Sequence, residues 1–97
     1  MAKITWTRRA LDDLRGIHEF IARHSEHYAG LHLERVFASV SRLASFPGMG
    51  RILPEFPDLL YRELLIGDYR VIYRIEGDVV RILAVVHGKR LLKEPPL

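Results

Sequence analysis

Two glycine–aspartate dipeptides, Gly67-Asp68 and Gly77-Asp78, cut the last third of the chain into segments of strand length. They constrain the fold more than any other feature, because a two-residue loop with glycine first joins antiparallel strands tightly and matches their twist. The segments are Leu59 to Ile66, Tyr69 to Glu76 and Val79 to His87, so the spacing predicts a three-stranded meander. Such loops also fix register, since residues flanking each loop face each other and paired residues share a sheet face. One predicted face carries Tyr69, Val71, Tyr73 and Ile75 with Ile82, Ala84 and Val86, an apolar floor. The other carries Arg70, Arg74 and Arg81 with Ile72, Val85 and His87, and is read as an exposed basic face on which function lies. Arg74 falls opposite Arg81, a like-charge pair that costs about a few tenths of a kcal/mol or more unless Glu63, Glu76 or an acidic partner compensates.

The first half of the chain supplies what covers the floor. Ile4 and Trp6 alternate with Lys3 and Thr5 as a short strand, and Thr7 fits an N-cap, with Trp6 and Leu11 placed to pack as a hydrophobic staple. Ala10, Leu14, Ile17 and Ile21 then recur at helical spacing. Ser25 caps a second helix whose stripe is Ala29, Leu33, Val36, Val40 and Leu43, ending at Phe46-Pro47-Gly48. The expected architecture is therefore α+β: a short N-terminal strand and an αα-hairpin packed on a mainly antiparallel sheet, with three C-terminal strands in a meander, forming a single domain over residues 1–97.

The connection Phe46 to Asp58 holds three prolines and two glycines and reads as an ordered crossing of the molecule. It is not a phosphate loop, for Gly48 and Gly50 lack the Lys-Ser or Lys-Thr that would reach phosphate and magnesium. Arg51 at its end is placed to pair locally with Glu55 or Asp58, or to touch a partner. No metal site is expected: the chain has no cysteine, and the spacing of His24, His27 and His32 puts them on different helical faces. No cofactor is implied. The sequence lacks both a signal-peptide pattern and an apolar run long enough to cross a membrane, so a cytoplasmic location is expected. A net charge of +3 is too small to name a nucleic-acid ligand, but most of the basic residues are arginine, suited to carboxylate or phosphate.

The order of these parts carries a resemblance. Strand, helical hairpin, Phe-Pro-Gly-Met-Gly-Arg turn (46–51), Tyr-Arg-Val-Ile-Tyr-Arg-Ile (69–75) and a closing strand ending His-Gly-Lys-Arg (87–90) resemble the RelE/ParE superfamily of toxins from bacterial type II toxin–antitoxin modules, from Ile4 to about Arg90. The resemblance implies a growth-arresting toxin neutralised by a cognate antitoxin, acidic and partly disordered, in a toxin–antitoxin hetero-oligomer. Two targets are implied by its branches: DNA gyrase on the ParE branch, and messenger RNA on the ribosome in the RelE-like nucleases. A nuclease needs a base for the 2′-hydroxyl, cations for the phosphate and an acid for the leaving oxygen. Arg70 and Arg90 match two arginines of the RelE-like pattern, yet its paired lysines and C-terminal tyrosine are missing. A second nuclease pattern is imitated by Glu55, Arg70 and His87. The closing Val-His-Gly-Lys-Arg looks like the ParE branch, which favours gyrase poisoning without catalysis; an endoribonuclease, or a degenerate toxin that only binds its antitoxin, are the alternatives. The expected partner-binding residues are Arg70, Arg74, Arg81, Lys89, Arg90 and Arg51.

Overall fold

Both helices start where the sequence places a hydroxyl. In the computed structural model, which describes residues 1–96, Thr7 Oγ1 accepts from the Ala10 amide at 3.1 Å and Ser25 Oγ from the Tyr28 amide at 3.1 Å. Each cap satisfies one of the amides that a helix start leaves free, worth about 1 kcal/mol. They open α1 (Arg8–Ala22) and α2 (Glu26–Ser41), which follow the strand β1 (Lys3–Trp6). Helix α2 stops earlier than the proline at position 47 demands, tightening into a 3-10 turn at Arg42–Ala44. Of the two residues of the expected staple, Leu11 is 44% exposed, and Trp6 lies against Phe37 of α2 with ring centroids 5.2 Å apart.

The remaining strands are β2 (Arg51–Ile52), β3 (Tyr61–Ile66), β4 (Tyr69–Glu76) and β5 (Val79–His87). They form one sheet in the order β1-β5-β4-β3-β2, with β1 parallel to β5 and the other pairs antiparallel. The α+β architecture is the expected one. Gly67 and Gly77 have φ of 58° and 61°, while the aspartates after them do not enter the left-handed region, as a glycine-first loop requires. Strand β3 begins at Tyr61 and not at Leu59, because Leu60 adopts φ 62°, a left-handed conformation that costs a leucine about 1–2 kcal/mol.

Ala10, Leu14, Val36, Val40 and Leu43 of the helical side pack on Val71, Tyr73, Val80 and Ile82 of the sheet. Helix α1 is also tied to β5 by polar contacts, for Thr7 Oγ1 donates to the Leu83 carbonyl at 3.2 Å and the Val85 amide donates to Asp13 Oδ2 at 2.9 Å. The register runs as the loops dictate from Glu76↔Val79 to Tyr73↔Ile82, and then shifts, so that Ile72 pairs with Ala84 and Leu83 is the extra residue of a bulge. One extra residue inverts the alternation beyond it. As a correction to the sequence reading, Ala84 and Val86 therefore face away from the helices, Val85 enters the helical core, and His87 comes beside Tyr69 at 5.5 Å between ring centroids.

The far side of the sheet is a second core and not an open cationic surface. Tyr61, Ile72, Leu83, Ala84 and Val86 are covered there by Leu53 and Phe56, from the segment after β2, and by Leu92, from the segment after β5. The Phe46–Arg51 turn is fastened from below: the Tyr73 hydroxyl donates to the Pro47 carbonyl at 2.7 Å and accepts from the Gly50 amide at 2.9 Å, and Arg62 Nη1 donates to the Gly50 carbonyl at 2.7 Å. A side chain on Gly50 would place Cβ 2.5 Å from the Tyr73 hydroxyl oxygen, so only glycine fits. Among the described residues no helix is long and apolar enough to cross a membrane.

Candidate functional site

Arg70 lies on β4 opposite Leu65, on the face away from the helices, and is only 4% exposed. The sequence reading placed it on an open surface; the segments around Glu55 and Arg90 close over it instead. Its guanidinium is gripped on every side. Nε donates to Glu63 Oε1 at 2.5 Å, Nη1 to Glu55 Oε2 at 2.8 Å, and Nη2 to Glu55 Oε1 at 2.6 Å, a bidentate fork on Glu55. Nη1 also donates to the Arg90 carbonyl at 2.8 Å. Four of the roughly five donor positions of an arginine are thus used within the chain.

The acids are equally committed. Glu63, 1% exposed, gives its second oxygen to Arg51 Nε across the β2–β3 pair. Arg51 therefore pairs with Glu63 and not with Glu55 or Asp58, as its position had suggested. Glu55 Oε2 further accepts from the Leu92 amide at 3.1 Å. The hydrogen bonds from Arg70 hold the Glu55 carboxyl far below the usual carboxylate range, at about 2, and the same bonds from Glu55 raise Arg70. A carboxylate held so low is a poor proton acceptor near neutral pH. The cluster clasps residues 90–92 against the second core.

Beside the clasp lies a cleft of about 520 Å³, whose lining includes Arg51, Glu55, Arg70, His87, Lys89 and Leu91. The fold brings together Glu55, Arg70 and His87, as the second nuclease pattern supposed, and adds Lys89 and Arg51. Within this group the exposed His87 accepts through Nδ1 from the Lys89 amide at 3.1 Å. The Arg90 side chain is exposed and borders a separate depression with Arg9 and Lys93, so only its carbonyl belongs to the Arg70 cluster. Arg74 and Arg81 are elsewhere again, paired with each other across β4 and β5 and both exposed.

Glu63 is expected only as a counter-charge for Arg74 and Arg81, although the signal for its pairing with Arg70 is available: it shares a face with Arg70 and lies one diagonal step away across β3 and β4. Tyr73 is expected only as packing, and nothing in the sequence pattern marks Asp13. Their polar duties depend on the course of the 46–51 turn and on the bulge, neither of which alternation reveals.

The whole arrangement has known counterparts. The structure superposes on a chain of the chromosomal ParDE toxin–antitoxin system from P. aeruginosa with a TM-score of 0.76, 21% identity, and 92% of this chain and 98% of that chain covered. It also matches a chain of the RelBE2 toxin–antitoxin complex from Mycobacterium tuberculosis, with a TM-score of 0.59, 26% identity, and 89% and 96% covered. This is the fold of RelE/ParE superfamily toxins. In sequence, toxin RelE2 of Caulobacter vibrioides is 32% identical over 92 residues, covering 94% of this chain and all of that protein. The family described as the ParE toxin of the type II toxin–antitoxin system parDE matches residues 4–92, and the chain belongs to it.

Proposed function

We propose that this protein arrests growth by binding and poisoning DNA gyrase, is neutralised by a cognate antitoxin, and does not cut RNA. The observation that carries this reading is the state of Arg70. It is the residue that matches the arginine of both nuclease patterns, and it is buried with its donors engaged by Glu55, Glu63 and the Arg90 carbonyl. An arginine that stabilises a scissile phosphate must present free donors to it. Glu55, the proposed base of the second pattern, is likewise saturated and held at about 2. What remains of the cleft is Lys89 and Arg51, two cations with His87 beside them, a rim suited to a partner surface. The antitoxin side of the proposal is supported by the two structural relatives, which come from toxin–antitoxin assemblies.

The test uses purified protein in two assays run side by side. With gyrase and relaxed plasmid, supercoiling should be inhibited and cleaved DNA should accumulate. With ribosomes programmed by a short message, no cleavage should appear at the same concentration. Messenger cleavage without any effect on gyrase would reverse the choice of target, and folded protein inert in both assays would leave antitoxin binding as its activity.

A further inference from the structure

We infer that the tip of the helical hairpin, residues 18–32, is an acid-sensitive latch: it closes on the sheet while the His32 ring is uncharged and opens when that ring takes up a proton, with both cores left folded. The distribution of buried side chains sets the hinge. Helix α1 is fully buried at Ala10 and Leu14, and α2 joins the helical core through Val36, Val40 and Leu43. These positions lie toward the open end of the hairpin, away from its turn. Around the turn the closure rests on Ala29 and on the partly buried Ile17 and Leu33, while Phe20 and Leu31 are 51% and 41% exposed. A segment with so few buried apolar anchors opens locally at a lower free energy than the core it leaves.

His32 is the polar piece in that closure. Its ring lies 5.1 Å from the Tyr69 ring, centroid to centroid, and Tyr69 in turn lies 5.5 Å from His87. Among the described residues, His32 Nε2 is sealed from solvent without a hydrogen-bond partner, and so is Nδ1 of His18 on α1. A neutral imidazole can leave one nitrogen as a bare lone pair, whereas an imidazolium turns both nitrogens into donors, and a buried donor left unmatched is costly. The surroundings offer the charged ring no match. Burial most strongly, then Arg35 on α2 and His18 on α1, push the titration of His32 below its ordinary 6.5. Asp68, from the loop between β3 and β4, shares a depression of about 450 Å³ with His32, Arg35 and Tyr69, yet forms no ion pair with the ring among the described residues. The closed tip therefore favours the neutral ring: the stability of closure is complete above about pH 6.5, declines as pH falls towards the lowered midpoint, and is level below it. Tyr69 and Asp68 also line the cleft beside Arg70, so the latch bears on one wall of that cleft. None of this depends on which target the toxin poisons.

The test is amide hydrogen exchange of the full chain, followed by NMR from about pH 7.5 to about pH 5.5 and corrected for the intrinsic pH dependence of exchange. Protection at Glu19 to Ala22 and at Gly30 to Leu33 should fall by about fivefold or more as the pH is lowered, while the amides of Val71 and Ile82 in the core keep theirs. His32→Phe, which retains a ring against Tyr69 and takes no proton, should abolish the fall. His27→Gln, which removes an exposed histidine from the same hairpin, should leave it in place. In the parent chain the ring resonances of His32 should titrate with a midpoint below 6.5, a measurement that requires no variant to fold. The proposal is overturned by protection at the tip that does not change with pH, or by an equal fall at Val71 and Ile82. It is overturned equally by a fall that survives in His32→Phe or vanishes in His27→Gln, or by a His32 midpoint at or above 6.5.

Discussion

Replacing Arg70 by alanine separates a structural arginine from a catalytic one, provided that stability is measured beside activity. The substitution deletes the one cation that, among the described residues, touches both Glu55 and Glu63. Glu63 has no exposed side-chain surface and would keep only Arg51, whose own side chain is 59% exposed. Removing one partner of a buried ion pair costs about 3–5 kcal/mol, because the charge left behind is neither solvated nor matched. Freed from Arg70, the Arg90 carbonyl and the Glu55 anchor of the Leu92 amide lose their fixed point, so the cover of the second core loosens as well. A domain of this size has a total stability of about 5–15 kcal/mol. Each kcal/mol moves its midpoint by roughly 4–8 °C, so Arg70→Ala should lower the melting temperature by at least about 12 °C in circular dichroism or calorimetry. Removing the charges together, in Arg70→Met with Glu55→Gln and Glu63→Gln, should recover more than about half of the loss, since Arg51 can then return to water. A melting temperature within about 3 °C of the parent, coupled with loss of toxicity, would refute this reasoning and make Arg70 a group that acts on a partner or substrate.

Other expectations bear on the same contacts. Glu55 lies at about 2 in the folded protein against an ordinary 4.5; the stability it contributes is therefore complete above about pH 4.5 and is lost as pH falls towards 2, so a pH–stability profile should show a component in that window that Glu55→Gln abolishes. Gly50→Ala, which drives Cβ against the Tyr73 hydroxyl and the Glu63 carbonyl, should destabilise by about 2–3 kcal/mol in urea titration; an unchanged midpoint would mean that the turn is free to shift. Asp13→Ala leaves the Val85 amide without its acceptor and should cost about 1–3 kcal/mol, with faster hydrogen exchange at Val85 as the local sign.

The parts of this fold that could be read from residues are those governed by short-range rules. Gly67 and Gly77 fix two loops, Thr7 and Ser25 fix two helix starts, and the stripe from Ala29 to Leu43 fixes which side of α2 turns inward. What escaped is set by distant chain. Leu83-Ala84-Val85-Val86 is apolar throughout, so no alternation marks where the bulge falls; the unbroken run says only that both faces are covered. That cue was present, and it contradicts a solvent-facing basic surface at Arg70. The guanidinium's surroundings come from Glu55 and the segment after β5, which approach from separations that no local pattern encodes. Arg74 opposite Arg81 was legible because it lies between a tight loop and the bulge, where counting from Gly77 still holds.

The parallel seam between β1 and β5 joins residues 3–6 to residues 79–82. Loop closure over such a distance must precede any reward from the contacts it brings. While the polypeptide emerges from the ribosome, the helical pair can coil locally, yet the surface it lies on is incomplete until the fifth strand has appeared and the first has found it. A nascent chain of this domain thus stays without its complete tertiary structure until residues 79–82 have been made, and any harmful surface is assembled only after that point.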